Sequence, residues 1–195
     1  MVWPFLYFAH DRLSPAELSA ARLDGDLVEI GEGYMPADAV ENAAMRAASL
    51  APLCSERLAV GIWSAAWVYG ALHEPPARHS LVRAPGRRVG NLVSRRAVFH
   101  DTAIDADDVT LLGDVRVTTP LRTLTDIARR TGKGSDPSRA AAAARGLIET
   151  GLVTATAGRD FLAIHPGLPG CRRGDALLAR IAGGAASSAQ EDVTR

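Results

Sequence analysis

The chain has 195 residues, 47% hydrophobic and 23% charged, proportions of an ordinary globular protein with room for one good-sized core or two small ones. Its formal net charge is +0, so the overall field favours no class of partner and only local clustering of charge can. The two cysteines, Cys54 and Cys171, stand far apart, which excludes a disulfide framework or a zinc site and argues for a reducing compartment.

The apolar stretch from Val2 to Ala9 is not read as a signal peptide. No basic segment precedes it, and His10, Asp11 and Arg12 follow at once. No run approaches the roughly 20 apolar residues of a spanning helix. The expectation is a cytoplasmic protein without a membrane partner.

Ser14-Pro15-Ala16-Glu17 opens a helix, with Ser14 as cap, Pro15 at the first helical position and Glu17 completing a capping box. It should bury Leu18, Ala21 and Leu23 and stop at Asp24-Gly25. Leu27–Ile30 and Tyr34-Met35 then read as a hairpin about the turn Gly31-Glu32-Gly33. A helix followed by a hairpin is the back half of a winged helix.

Residues 39–53 predict a helix with Val40, Ala43, Ala44, Ala47 and Leu50 on its buried face, and 63–72 a second. Past the break at Pro75-Pro76 the pattern turns to strands at 80–84, 97–100 and 109–117, with turns at Gly86 and Gly113-Asp114. Thr119 caps a helix to about Arg130 in which Arg122 and Asp126 form an i, i+4 pair. On an exposed face such a pair contributes only a few tenths of a kcal/mol. Residues 131–136 form a loop, 138–150 a helix, 151–157 either strand or turn, and 175–182 a final helix. The small, polar tail from residue 184 is expected to be disordered.

Catalytic patterns are missing. The five histidines are scattered without metal-ligand spacing, so neither a metal nor any other cofactor is expected. Thr131-Gly132-Lys133-Gly134-Ser135 lacks the earlier glycine and the Ser or Thr after lysine that a phosphate loop needs. Lys133 is the only lysine and has Thr131 two positions before it, so the Glu-x-Lys core of a magnesium nuclease is absent, and no G-x-S-x-G occurs. The chain reads as a non-enzyme.

Charge is more informative. Arg78, Arg83, Arg87, Arg88, Arg95 and Arg96 fall within nineteen residues that contain no acid, and Asp101, Asp105, Asp107, Asp108 and Asp114 follow. These arginines are the candidate nucleic-acid contacts, through phosphates. The alternative is a sheet whose arginines pair with those aspartates. Between Asp11 and Glu41, by contrast, acids far outnumber Arg12 and Arg22, a balance that phosphates repel.

Three segments resemble the AbiEi-type antitoxins of bacterial toxin–antitoxin systems and their relatives with a C-terminal Vsr-like endonuclease domain. SPAELSAARLDGDLVEIGEGYMP (14–36) is similar to the family's recognition helix and wing. IWSAAWVYGAL (62–72) is similar to its S-A-A-x-L-x-G-L segment. DVTLLGDVRVTTPLRTLTDIAR (108–129) is similar to its D-V-x-x-x-x-G-x-x-V-T-x-P-x-R-T-L-x-D-x-A segment, the most specific of the three. Ser64, Gly70, Thr118, Thr119, Pro120, Arg122 and Asp126 carry these motifs and are read as structural, bracing a helix after a strand.

The resemblance implies a mixed α+β fold: a reduced winged-helix piece (1–38), then an α/β antitoxin domain (39–183) of helices, a small, mostly antiparallel sheet and C-terminal helices, then the tail (184–195). The endonuclease portion is missing. It also implies a transcriptional regulator and non-catalytic antitoxin, with a nucleotidyltransferase toxin as functional partner and operator DNA as a second. Glu17, Asp24, Asp26, Glu29 and Glu32 lie on the helix and wing where relatives carry arginines, which counts against the DNA. The alternatives are a sequence-specific repressor without a toxin and the remnant of an endonuclease-bearing relative.

Overall fold

The computed structural model describes residues 5–87, 94–131 and 136–192, with 185–192 as backbone alone. The fold is mixed α+β. Helix α1 (Pro15–Asp24) starts on the predicted capping box: the Ser14 side chain accepts from the Glu17 N–H while Glu17 Oε2 accepts from the Ser14 N–H at 2.8 Å. It ends at Gly25, whose φ of 84° is left-handed. Leu18 is buried, but Leu23 is 77% exposed, because a ten-residue helix seated on a hairpin has only one covered stripe.

Strands β1 (Leu27–Ile30) and β2 (Gly33–Pro36) pair antiparallel as a sheet of their own. The segment before α1 lies along β2, with Tyr7 and Tyr34 exchanging backbone hydrogen bonds at 2.9 Å. That docking buries Leu6 and accounts for the apolar start of the chain. Leu6, Ile30 and Met35 share one core cluster with Val60, Val117 and Leu124, so the front end packs onto the rest and has no separate core.

The helix expected over 39–53 is shorter. Asn42 caps α2 (Ala43–Ser49) by accepting from the Met45 N–H, a 3-10 turn (Ala51–Leu53) follows, and Val40 is left 83% exposed ahead of the cap. Helix α3 (Ile62–Val68) likewise stops early, at Tyr69 and Gly70 (φ 83°), where Arg46 Nη1 donates to the Trp67 carbonyl.

A five-stranded sheet lies in the order β5-β4-β3-β7-β6, with β3 (Leu58–Val60), β4 (His79–Arg83), β5 (Ala97–His100), β6 (Val109–Leu112) and β7 (Val115–Thr118). Two differences from expectation stand out. Its central strand, β3, has only three residues, all buried, too few to register as a pattern. The turn expected at Gly113-Asp114 is present and folds the stretch 109–117 into two strands. The sheet is mixed and not mostly antiparallel: β3 pairs with β4, and β6 with β7, antiparallel, whereas β3–β7 and β4–β5 are parallel.

Helices α4 (Pro120–Ala128), α5 (Pro137–Glu149), α6 (Ala155–Ile164) and α7 (Cys171–Asp192) complete the fold. The ambiguous stretch 151–157 resolves as the start of α6, capped by Thr154. Helical backbone to Asp192 replaces the irregular tail expected from residue 184, since Ala and Gln prolong a helix already anchored by Leu177, Leu178 and Ile181. α4 is the hub and packs against α3, α5, α6 and α7. Gly146 lets α5 approach closely, as a Cβ there would stand 2.5 Å from the Ala71 carbonyl oxygen. Among the described residues no helix is long and apolar enough to cross a membrane.

Candidate functional site

The most specific sequence motif builds the junction between β7 and α4. Thr119 caps α4 by accepting from the Arg122 N–H, Pro120 fills the first turn, and the Thr119 N–H donates to the Asp108 carbonyl at 2.8 Å. Thr118 is buried, bonded through Oγ1 to Thr123 Oγ1 at 2.8 Å, and its carbonyl accepts from the Tyr69 hydroxyl at 2.8 Å.

Arg122 and Asp126 are not on an exposed face. Both are buried, at 3% and 1% exposure, because neighbouring segments close over that side of α4. The Arg122 guanidinium donates from Nε to Asp126 Oδ2 at 3.0 Å, from Nη1 to Asp108 Oδ2 at 2.5 Å and from Nη2 to the Ala103 carbonyl at 2.8 Å. Arg129 takes the other Asp126 oxygen. A guanidinium bonded through all three of its nitrogens and placed between two carboxylates is what a buried charge requires. These residues frame the fold.

A second buried network joins Ser64 to the front hairpin. Ser64 Oγ accepts from the Ser80 N–H at 2.9 Å and lies 3.1 Å from His79 Nδ1. The His79 Nε2 is 3.4 Å from Glu32 Oε1, an oxygen that also receives Arg96 Nη2 at 2.9 Å. With the Ser64 proton directed at Nδ1, the neutral Nε2–H tautomer satisfies every partner. Burial, reinforced by Arg96, pushes the His79 pKa down to about 4. His100 is pushed to about 4 by burial and by Arg130, with Asp126 opposing.

The arginine-rich segment is dispersed in its roles. Arg78 Nη2 donates to the Ser94 and Ala97 carbonyls at 2.9 Å, Arg83 pairs with Asp101 at 3.2 Å, and Arg96 is held by Glu32. Arg87 is 4.0 Å from an exposed Glu56, and Arg95 is exposed. Arg88 lies outside the described residues. Cross-sheet pairing with the aspartates holds for Arg83–Asp101, whereas Asp108 turns inward to Arg122 and Asp105 caps the short 3-10 turn Ala106–Asp108. The acids of the front end are also partly spoken for: Glu17 in the capping box, Glu29 beside Arg22 at 3.4 Å, and Glu32 beneath Arg96. Sequence reasoning missed Glu32 as a linking residue, since its partners lie more than forty positions away. Among the described residues no group of three or more His, Cys, Asp or Glu could hold a metal ion.

Residues 59–152, from β3 to just past α5, match the family model described as the AbiEi antitoxin C-terminal domain. This stretch, just under half of the chain, is similar to the AbiEi antitoxin C-terminal domain. Ser64, Gly70, Thr118, Thr119, Pro120, Arg122 and Asp126 all lie within the matched stretch, as do the six arginines from Arg78 to Arg96. No curated protein matches the chain. Among solved structures, the RV2827C protein from Mycobacterium tuberculosis is similar at a TM-score of 0.49 and 17% identity, covering 88% of this chain and 66% of that one. The chain thus spans just under two thirds of that protein's length.

The two histidines give the fold an acid-sensitive step. Each has a folded pKa below its unfolded value near 6.5, so the unfolded chain takes up more protons between about 6.5 and 4. Stability should be full above that window, fall as pH drops through it, and level off for these groups below it. His79→Gln, which cannot titrate, should shallow the decline in urea unfolding measured across pH 7 to 4. An identical slope in both proteins would remove His79 from the account.

Proposed function

We propose that this protein is the non-catalytic antitoxin of a bacterial toxin–antitoxin pair, counteracting a nucleotidyltransferase toxin encoded beside it and regulating their shared transcription. The observation that carries the reading is the match of residues 59–152 to the AbiEi antitoxin C-terminal domain. The burial of Ser64, Thr118, Arg122 and Asp126 supports it, because these polar motif side chains hold the fold together and leave recognition to the surface. On this reading residues 1–38 are a reduced winged helix and 39–183 the antitoxin domain, acting in the cytoplasm.

Co-expression with the product of the adjacent gene tests the central part. That product alone should arrest growth, and this protein should restore it. A harmless neighbour, or toxicity unchanged by co-expression, would contradict the antitoxin role.

A second reading is a sequence-specific repressor that needs no toxin. The helix α1 with its hairpin favours it, as does the pairing of Glu29 and Glu32 with arginines, which softens the repulsion expected from their charge. Arg87 and Arg95, exposed members of the arginine-rich segment, would be the ones to meet phosphates. In a salt titration with the gene's own upstream DNA, removing both by alanine should lower the slope of log affinity against log salt by about 2. Equal binding to random duplex, or an unchanged slope, would argue against this contact surface.

A further inference from the structure

The C-terminal end of α4 opens onto a cleft of about 450 Å³ between the segment after β5 and the connection from α6 to α7. Arg129 and Arg130 enter it from the residues that follow α4 and Arg173 from the first turn of α7. The wall is built, not incidental. Arg129 has a side chain only 9% exposed, fixed by Nη1 to the Pro169 carbonyl at 3.0 Å and by Nη2 to Asp126. Gly170, with φ of 81°, brings that connection so close that a Cβ would stand 2.5 Å from the Arg129 carbonyl oxygen.

Two donors in this wall have nothing to bond. The Nε atoms of Arg129 and Arg130 are both buried and without a hydrogen-bond partner. A buried donor left unmatched is destabilising, more so when it belongs to a charged group, and folded proteins rarely leave one so.

The charge points the same way. Asp126 faces the cleft, but its two oxygens are divided between Arg122 and Arg129. Asp101 at the rim is paired with Arg83. Among the described residues no carboxylate pairs with Arg130 or Arg173, so the cleft carries uncompensated positive charge. Burial lowers the Arg130 pKa, Asp126 opposes the shift and Arg129 adds to it, the mark of a cation held short of counter-charge. The negative pole at the end of α4 is offset by the N-terminus of α7, which runs against it at Gly174, where a Cβ would sit 3.3 Å from the Arg129 backbone nitrogen.

We propose that this cleft binds a phosphate monoester carried on a body of nucleoside size, its phosphate taken by Arg129, Arg130 and Arg173. Guanidiniums match the oxygens of a phosphate in pairs. The volume far exceeds that of one oxyanion and falls in the range of small-molecule sites. Ala103, Leu168 and Pro169 supply apolar wall for the uncharged part of the ligand. The site is independent of whether the protein neutralises a toxin.

Calorimetric titration of the full chain with each of the four ribonucleoside 5′-monophosphates tests it, alongside the matching nucleosides and inorganic phosphate. At least one monophosphate should saturate the protein, inorganic phosphate should compete, and the nucleosides should bind at least about tenfold more weakly. Arg130→Gln and Arg173→Gln should each weaken binding by at least about tenfold. Arg173 is exposed, so its variant should keep the wild-type thermal unfolding curve and leaves the test intact if Arg130→Gln misfolds. A 5′-phosphorylated tetranucleotide separates sources: tighter binding than the monophosphate assigns the cleft to a strand end, weaker binding to a free nucleotide. No binding of any monophosphate, nucleosides binding as well as their phosphates, or wild-type binding by Arg173→Gln would overturn the proposal.

Discussion

Arg122 is the point at which three separate pieces of backbone meet. Its guanidinium, almost out of contact with water, reaches Asp126 on its own helix, Asp108 at the start of β6 and the Ala103 carbonyl in the segment after β5. Taking such charges from water carries a penalty of several kcal/mol per ion, which only near-complete bonding offsets. Completeness is what the fold supplies. Asp108 is itself fixed, its carboxylate by the Asp105 N–H at 3.0 Å and its carbonyl by the Thr119 N–H that begins α4. The strand-to-helix junction and the connection across the sheet edge are therefore set by one side chain, and Arg129 extends the same network to the α6–α7 connection through Asp126 and Pro169.

The parts legible in the sequence were those that depend on near neighbours. The capping box at Ser14, the cap at Thr119, the hairpin of β1 and β2 and the strands β4 and β5 all follow from residues within a few positions of one another. What failed depended on distant chain. Arg122 and Asp126 have the spacing of a surface pair, and only the packing of other helices around α4 and the approach of Asp108, fourteen positions away, turn that spacing into a buried network. β3 was invisible because three apolar residues carry no period, although the strand is the centre of the sheet. Its parallel pairing with β7 could not be read from either strand alone.

The candidate site followed the same division. The arginine-rich run and the acidic front end were plain as composition, yet their meaning changed once Glu32 was seen beneath His79 and Arg96. A charge map drawn along the sequence counts ions that the fold has already paired. Arg129, Arg130 and Arg173 showed no pattern at all, because the third comes from a different helix, more than forty residues on from the other two.

The framing role of Arg122 can be measured through a double-mutant cycle with Asp108, using Arg122→Met, Asp108→Asn and both together in urea unfolding. Each single change strands a buried charge or polar group and should cost about 3–5 kcal/mol, while the double change should cost clearly less than the sum. A cost below about 1 kcal/mol for Arg122→Met, the range of an exposed pair, or additivity of the two changes would contradict the account.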